Sequence, residues 1–140
     1  MVQNMKEFGV EDASYQAAGQ LEGIKALVDD FYDFMDSLPE AKYIRAMHPA
    51  NLDESRKKLT YFLSGWLGGP RLYSQNYGGI TIPEAHKHLP VGKAERDAWM
   101  LCMEKAIYKQ AFSEEFKKYL YEQLLVPAER IRVVSQRHKQ

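Results

Sequence analysis

The sequence predicts an all-α fold, and three observations support this. Apolar residues recur every third or fourth position along much of the chain, which is the period of an amphipathic helix. Proline and glycine divide the chain into segments of helical length. No stretch shows the persuasive alternation of apolar and polar residues that is typical of a strand.

The composition is that of one ordinary globular domain. The chain has 140 residues, with 19 basic and 19 acidic side chains, so no charge surplus points to a nucleic acid or an anionic membrane. No apolar run is long enough to cross a bilayer, and the N-terminus lacks a signal-peptide pattern. A lone cysteine, Cys102, excludes an internal disulfide. We therefore expect a cytoplasmic protein with a loosely held N-terminal extension over residues 1–13 and a single domain over residues 14–140.

The first half of the chain predicts three helices. Ser14 suits the cap of a short helix through Ala18, which Gly19 ends. The second helix carries a stripe of apolar residues and ends at Leu38-Pro39, and a short third helix follows from Pro39. The stripe of the second helix comprises Leu21, Ile24, Val28, Phe31 and Met35.

Asn51 or Asp53 caps the next predicted helix, which ends at Gly68-Gly69-Pro70. Its apolar stripe comprises Leu59, Phe62, Leu63 and Trp66. Residues 71–82 are rich in Gly, Tyr, Asn and Ser and are predicted to form an ordered loop.

The rest of the chain predicts three more helices. A short helix spans residues 83–87 and a long one residues 93–111, with Trp99 on its apolar face. The last helix opens at Ser113, and Pro127 should kink it or divide it in two.

Two side chains with hydrogen-bond donors, Tyr32 and Trp99, lie on or beside apolar helix faces. A buried donor needs a partner, so two that converge on one cavity would make a polar site in an apolar pocket. His86 and His88 are spaced by two, which on a helix turns their rings about 200° apart. Only one of them can face the interior, and no further ligands nearby suggest a structural zinc site.

Two segments then carry a specific pattern. They are FLSGWLGGPRLYSQNYGG, residues 62–79, and HKHLPVGKAERDAWMLCM, residues 86–103. Together they closely resemble the group II truncated haemoglobins, and the resemblance covers roughly residues 14–125. It implies a globin-like, two-over-two helical sandwich around haem b, within one truncated-globin domain over residues 14–140.

The resemblance also implies the residues of a haem site. His86 corresponds to the proximal histidine that ligates the iron, with His88 pointing away. Tyr32 and Trp99 correspond to the distal donors. His48 is expected to be a third polar residue of the distal pocket, or else simply a histidine that precedes Pro49 at a helix end.

The remaining site residues follow from the same resemblance. Phe31, Leu59, Phe62 and Leu63 are expected to wall the haem pocket. Ser55 matches the distal gate, where a small residue leaves a route for ligands. Lys58, Arg71 and Tyr73 are candidates to bind the haem propionates. Relative to many relatives, the chain is longer between Tyr32 and His48, and Ala85 stands where a basic residue is common, which leaves one propionate contact open.

The predicted function is reversible binding of oxygen, and of CO or NO, as in oxygen binding or transport. The alternative is a haem redox enzyme, either a nitric oxide dioxygenase or peroxidase-like. Such an enzyme would need a separate reductase, since no flavin or nicotinamide motif is present. A haem-free helical interaction module is a further alternative. Cys102 is expected to be a buried core residue, with a redox-active or ligating thiol as the alternative.

Overall fold

The computed structural model describes residues 7–78 and 89–139, and every regular element in these two ranges is helical. The elements are α1 (Ala13–Ala17), α2 (Gln20–Ser37), a 3₁₀ turn (Pro39–Ala41), α3 (Lys42–Ala46), α4 (Asp53–Trp66), α5 (Leu72–Tyr77), α6 (Lys93–Lys109) and α7 (Glu114–Lys139). The helix predicted over residues 83–87 lies outside the described residues. Across the described ranges, no helix is both long and apolar enough to span a membrane.

Glycine and proline end the first helices where the sequence predicts. Gly19 follows α1 with a φ of +85°, a left-handed conformation that glycine adopts without steric cost. Leu38 leaves α2 in an extended conformation after its N–H donates to the carbonyl oxygen of Phe34 at 2.8 Å. Pro39 then opens the 3₁₀ turn, because it has no N–H to continue α2.

The N-cap of α4 is Leu52 and not Asn51 or Asp53, the two predicted caps. The Oδ1 atom of Asn51 accepts a hydrogen bond from the backbone N–H of Asp53 at 2.8 Å, and Asp53 is itself the first residue of the helix. At the start of α7, Ser113 acts as predicted, since its Oγ atom accepts the backbone N–H of Phe116 at 3.1 Å.

One prediction about helix boundaries is wrong, and of the two outcomes predicted at Pro127, a kink or a division of the helix, the division does not occur. Residues 72–77 form α5 and not a loop, because tertiary packing of Tyr73 and Tyr77 compensates for a sequence of weak helix formers. Helix α7 continues through Pro127 instead of dividing there. The residues on both sides, Leu124 and Ala128, are buried, and their packing holds the helix together across the missing hydrogen bond.

The four long helices form two pairs. Helix α2 packs against α4 and α6, and α6 also packs against α7. The core lies between these helices and includes the fully buried residues Leu27, Phe31, Leu63, Met103, Ile107, Phe116 and Leu120. Cys102 is among them and fully buried, as expected for a core residue.

Residues 7–12 are not loosely held, contrary to the prediction. The ring of Phe8 contacts those of Phe116 and Tyr119 on α7, with centroids 5.1 Å apart in each case. The backbone N–H of Gly9 donates to the buried Oγ atom of Ser14 at 2.9 Å. The described part of the extension is therefore anchored to the folded domain.

Candidate functional site

A cavity of about 300 Å³ opens between the two helix pairs and is lined by residues from helices α2 to α7 and from the loops between them. Most of its lining is aliphatic or aromatic. It brings together eight of the residues predicted for the site, namely Tyr32, His48, Ser55, Lys58, Leu59, Phe62, Tyr73 and Trp99.

Three other predicted residues do not line this cavity. Phe31 and Leu63 are fully buried in the core beside it. Arg71 is exposed at the turn between α4 and α5, where its side chain lies beside Gly65. His86, with His88 and Ala85, lies outside the described residues.

Tyr32 presents its phenol to the cavity from α2. Its side chain is 5% exposed, and its hydroxyl makes no hydrogen bond to any residue that the structure describes. Burial raises the pKa of Tyr32 far above its ordinary value, with Arg56 opposing the shift. The phenol therefore stays protonated at neutral pH and keeps its O–H as a donor.

Arg56 holds α4 against α2 beside Tyr32. Its guanidinium donates to the backbone oxygen of Asp29 at 3.0 Å and to the carboxylate of Asp33 at 2.9 Å. The same group lies over the ring of Tyr32, 5.7 Å from its centroid, which adds a cation–π contact. These contacts join residues 23 to 27 positions apart, and no local pattern in the sequence signals them.

Trp99 faces the cavity from α6. The ring of Phe31 lies between the two donors, with centroids 4.9 Å from Tyr32 and 5.0 Å from Trp99, both edge to face. Within the described residues, the indole N–H of Trp99 has no hydrogen-bond acceptor. Phe31 was predicted to wall the pocket. Instead it lies in the core and packs against the rings of both donors.

His48 lies at the end of the α3 segment and also lines the cavity. Its Nδ1 atom is 2.8 Å from the backbone oxygen of Ile44. Because that oxygen only accepts, Nδ1 carries the proton. The ring meets that of Tyr32 edge to face at 5.7 Å. His48 is therefore both a helix-end histidine and a lining residue, which joins the two alternatives drawn from the sequence.

Arg45 fixes the loop that follows His48. It donates to the backbone oxygens of Pro49 and Ala50, each at 3.0 Å, and pairs with Asp36 of α2. The His48 side of the cavity is thereby tied to the helix that carries Tyr32.

One edge of the cavity carries cationic and hydroxyl groups. The exposed Lys58 lies at this lining and over the ring of Tyr77, 5.4 Å from the centroid. Tyr73 packs against Tyr77 with centroids 5.1 Å apart, and the hydroxyl of Tyr77 donates to Glu54 at 2.7 Å. That hydrogen bond is the main reason that the pKa of Tyr77 rises to about 12.

Sequence reasoning missed Arg96, a second cationic group of the lining. It donates to the carboxylate of Asp97 at 2.8 Å and to that of Glu129 on α7. A signal was present, because Arg96 lies within the Glu-Arg-Asp-Ala-Trp motif, three residues before Trp99. Both partners are carboxylates, so Arg96 is already neutralised within the protein.

Residues 13–132 match the family of bacterial-like globins, and the chain belongs to this family, among the group II truncated haemoglobins. The prediction of the family and of a truncated-globin fold is confirmed. The chain is 32% identical to the group 2 truncated hemoglobin YjbI of Bacillus subtilis over 117 residues, which is 84% of this chain and 86% of that protein.

Solved structures agree with this assignment. The group II 2-on-2 hemoglobin of Agrobacterium tumefaciens is 32% identical, with a TM-score of 0.82 over 93% of this chain and 97% of that one. The cold-adapted truncated hemoglobin of Pseudoalteromonas haloplanktis is 31% identical, with a TM-score of 0.81 over 84% and 95%. A truncated oxygen-avid haemoglobin of Bacillus subtilis is 32% identical, with a TM-score of 0.76 over 84% and 97%.

Proposed function

We propose that this chain binds haem b in the cavity, with His86 as the axial ligand, and holds oxygen, CO or NO beside Tyr32 and Trp99. The observation that carries the proposal is the pair of side-chain donors that line an apolar cavity without a partner among the described residues. Haem, when bound, supplies the iron atom on which a diatomic ligand is held.

The residues present fit this group in their chemistry. Haem has two apolar faces and one edge with two carboxylates, and the lining offers apolar side chains such as Leu59 and Phe62 together with the cationic Lys58 and the hydroxyl of Tyr73. A cation and a hydroxyl suit a propionate. Arg71 is a weaker candidate for this role, because it is exposed and does not line the cavity.

The two donors have a defined task in this proposal. Haem would supply the chemistry that makes a bound diatomic ligand partly negative, and a fixed O–H or N–H beside that ligand would stabilise the charge. Tyr32 supplies a neutral phenol, since burial keeps it protonated. Trp99 supplies an indole N–H that cannot accept, so its role does not depend on pH.

Similarity to a haemoglobin described as oxygen-avid also supports the proposal that this chain holds oxygen. Two donors beside the ligand in a mostly apolar pocket favour slow release of oxygen over rapid delivery. We therefore propose oxygen retention as the primary property of this chain.

The experiment that tests the proposal compares His86→Ala with His88→Ala. These residues are two positions apart in one segment, so the second variant controls for general damage to it. His86→Ala should lose stable haem binding in a haem titration followed by visible absorption, whereas His88→Ala should bind haem with the spectrum of the unsubstituted protein. An unchanged spectrum in His86→Ala would refute the assignment of the axial ligand.

A further inference from the structure

Residues 127–135, in the second half of α7, run from the cavity wall to a buried position beyond it. Pro127, Ala128 and Ile131 line the cavity, and Ser135 follows one turn after Ile131 and is only 1% exposed. Spacings of three and four place Ala128, Ile131 and Ser135 on one helix face. The inward face of this half-helix thus continues past the cavity to a buried hydroxyl.

Ser135 makes two hydrogen bonds to the chain that enters α6. Its Oγ atom accepts the backbone N–H of Val91 at 3.0 Å, and its hydroxyl donates to the backbone oxygen of Leu89. Leu89 and Val91 both line the cavity. One buried side chain therefore bonds both a donor and an acceptor of this irregular segment, in addition to the hydrogen bond of 3.0 Å from the Val91 N–H to the Leu89 oxygen.

A second tie joins the same half-helix to α6. Glu129 accepts hydrogen bonds from Arg96, which lines the cavity, and from Arg132 on its own helix. These two cations lower the pKa of Glu129, with Arg132 the larger influence, so the carboxylate stays charged. The half-helix is thereby fixed to α6 at one end and to the Leu89–Val91 segment at the other.

We infer that residues 127–135 form a strap that holds the cavity wall after residue 88, and that Ser135 is a positioning residue for His86. The inference rests on the proposed function, because it concerns the segment that carries the proposed axial ligand. Leu89, whose backbone oxygen accepts the hydroxyl of Ser135, is three residues after His86 in the sequence. The family match ends at residue 132, before Ser135, and nothing in the resemblance assigns this residue a role.

The test compares Ser135→Thr with Ser135→Val in the haem-loaded protein. Thr and Val have nearly the same size, but Thr keeps a hydroxyl where Val has a methyl group. Any destabilisation from the added volume is therefore the same in both variants. The rate of haem transfer to an excess of apomyoglobin should be about tenfold higher in Ser135→Val than in Ser135→Thr, since the Leu89–Val91 segment loses its hydrogen bonds to α7. Exchange of the Val91 amide hydrogen should rise in the same variant.

Ser135→Ala gives a second measurement that adds no volume, and it should also release haem faster. Ser14→Ala is the matched control, because Ser14 is also buried and bonds one loop amide, but its partner Gly9, unlike Leu89 and Val91, does not line the cavity. Its haem release should equal that of the unsubstituted protein. Equal release from Ser135→Val and Ser135→Thr, while His86→Ala loses haem, would overturn the strap alone. Retention of haem with an unchanged spectrum in His86→Ala would overturn the proposed function itself.

Discussion

Replacing Trp99 by phenylalanine removes one hydrogen-bond donor from the cavity and keeps an aromatic ring against Phe31. Tyr32→Phe does the same on α2, where the loss is confined to one hydroxyl. Each donor that stabilises a partly charged ligand contributes roughly 1.5–3 kcal/mol. We expect the rate of oxygen dissociation to rise about ten- to hundredfold in each variant.

The assay is stopped-flow displacement of oxygen by CO, followed at the Soret band. Tyr119→Phe and Trp66→Phe serve as controls, since neither residue lines the cavity. The double variant completes a cycle. Both donors pack on Phe31, so the two substitutions are close enough to influence each other. If both donors bond the same ligand atom, the double variant should change the dissociation rate by less than the two single effects combined. Unchanged dissociation rates in both single variants would refute the reasoning that these donors face the ligand.

The same assay has a predicted pH dependence. The pKa of Tyr32 is raised far above its ordinary value by burial, and the protonated form is the donor. Its contribution should therefore persist as the pH rises through 10, where a solvent-exposed phenol would begin to ionise. A rise in oxygen dissociation near pH 10 that is absent from Tyr32→Phe would show that the phenol is not buried as described.

Three further outcomes follow from the structure. Gly68→Ala should lower the free energy of unfolding by about 1–3 kcal/mol more than Gly78→Ala in urea titrations; both have positive φ, but a Cβ at Gly68 would lie 2.1 Å from a backbone oxygen, whereas one at Gly78 meets nothing within 4 Å. Cys102, whose pKa burial raises to about 11, should not react with a thiol reagent at pH 8 until the protein unfolds, and rapid native labelling would contradict its burial. Lys58→Ala should speed haem release several-fold and Arg71→Ala should not, as measured by transfer to apomyoglobin; the reverse order would place the propionates elsewhere.

Much of the fold was predictable because its determinants are local. The three- and four-residue spacing from Leu21 to Met35 requires only one helix face to be apolar. Gly19 and Pro39 end elements through their own backbone geometry. Helix α5 was not predictable, since it depends on packing of Tyr73 against Phe62 of another helix.

The cavity was predicted less completely than the fold. Tyr32 and Trp99 were found because a donor on an apolar face is unusual in a plain core. Phe31 and Leu63 adjoin cavity residues in sequence, but a step of one residue turns a helical side chain by about 100°, and this directs them into the core. Ser135 gives no local signal, because its partners are 44 and 46 positions away.

The most direct test of the central claim is a visible absorption spectrum of the purified, haem-loaded protein, recorded oxidised, reduced, and reduced under CO or oxygen. We expect an intense Soret band that shifts on reduction and shifts again with each gas, as is typical of a histidine-ligated haem with an accessible distal site. A protein that shows no Soret band after haem is added, or whose reduced spectrum does not respond to CO, would contradict it.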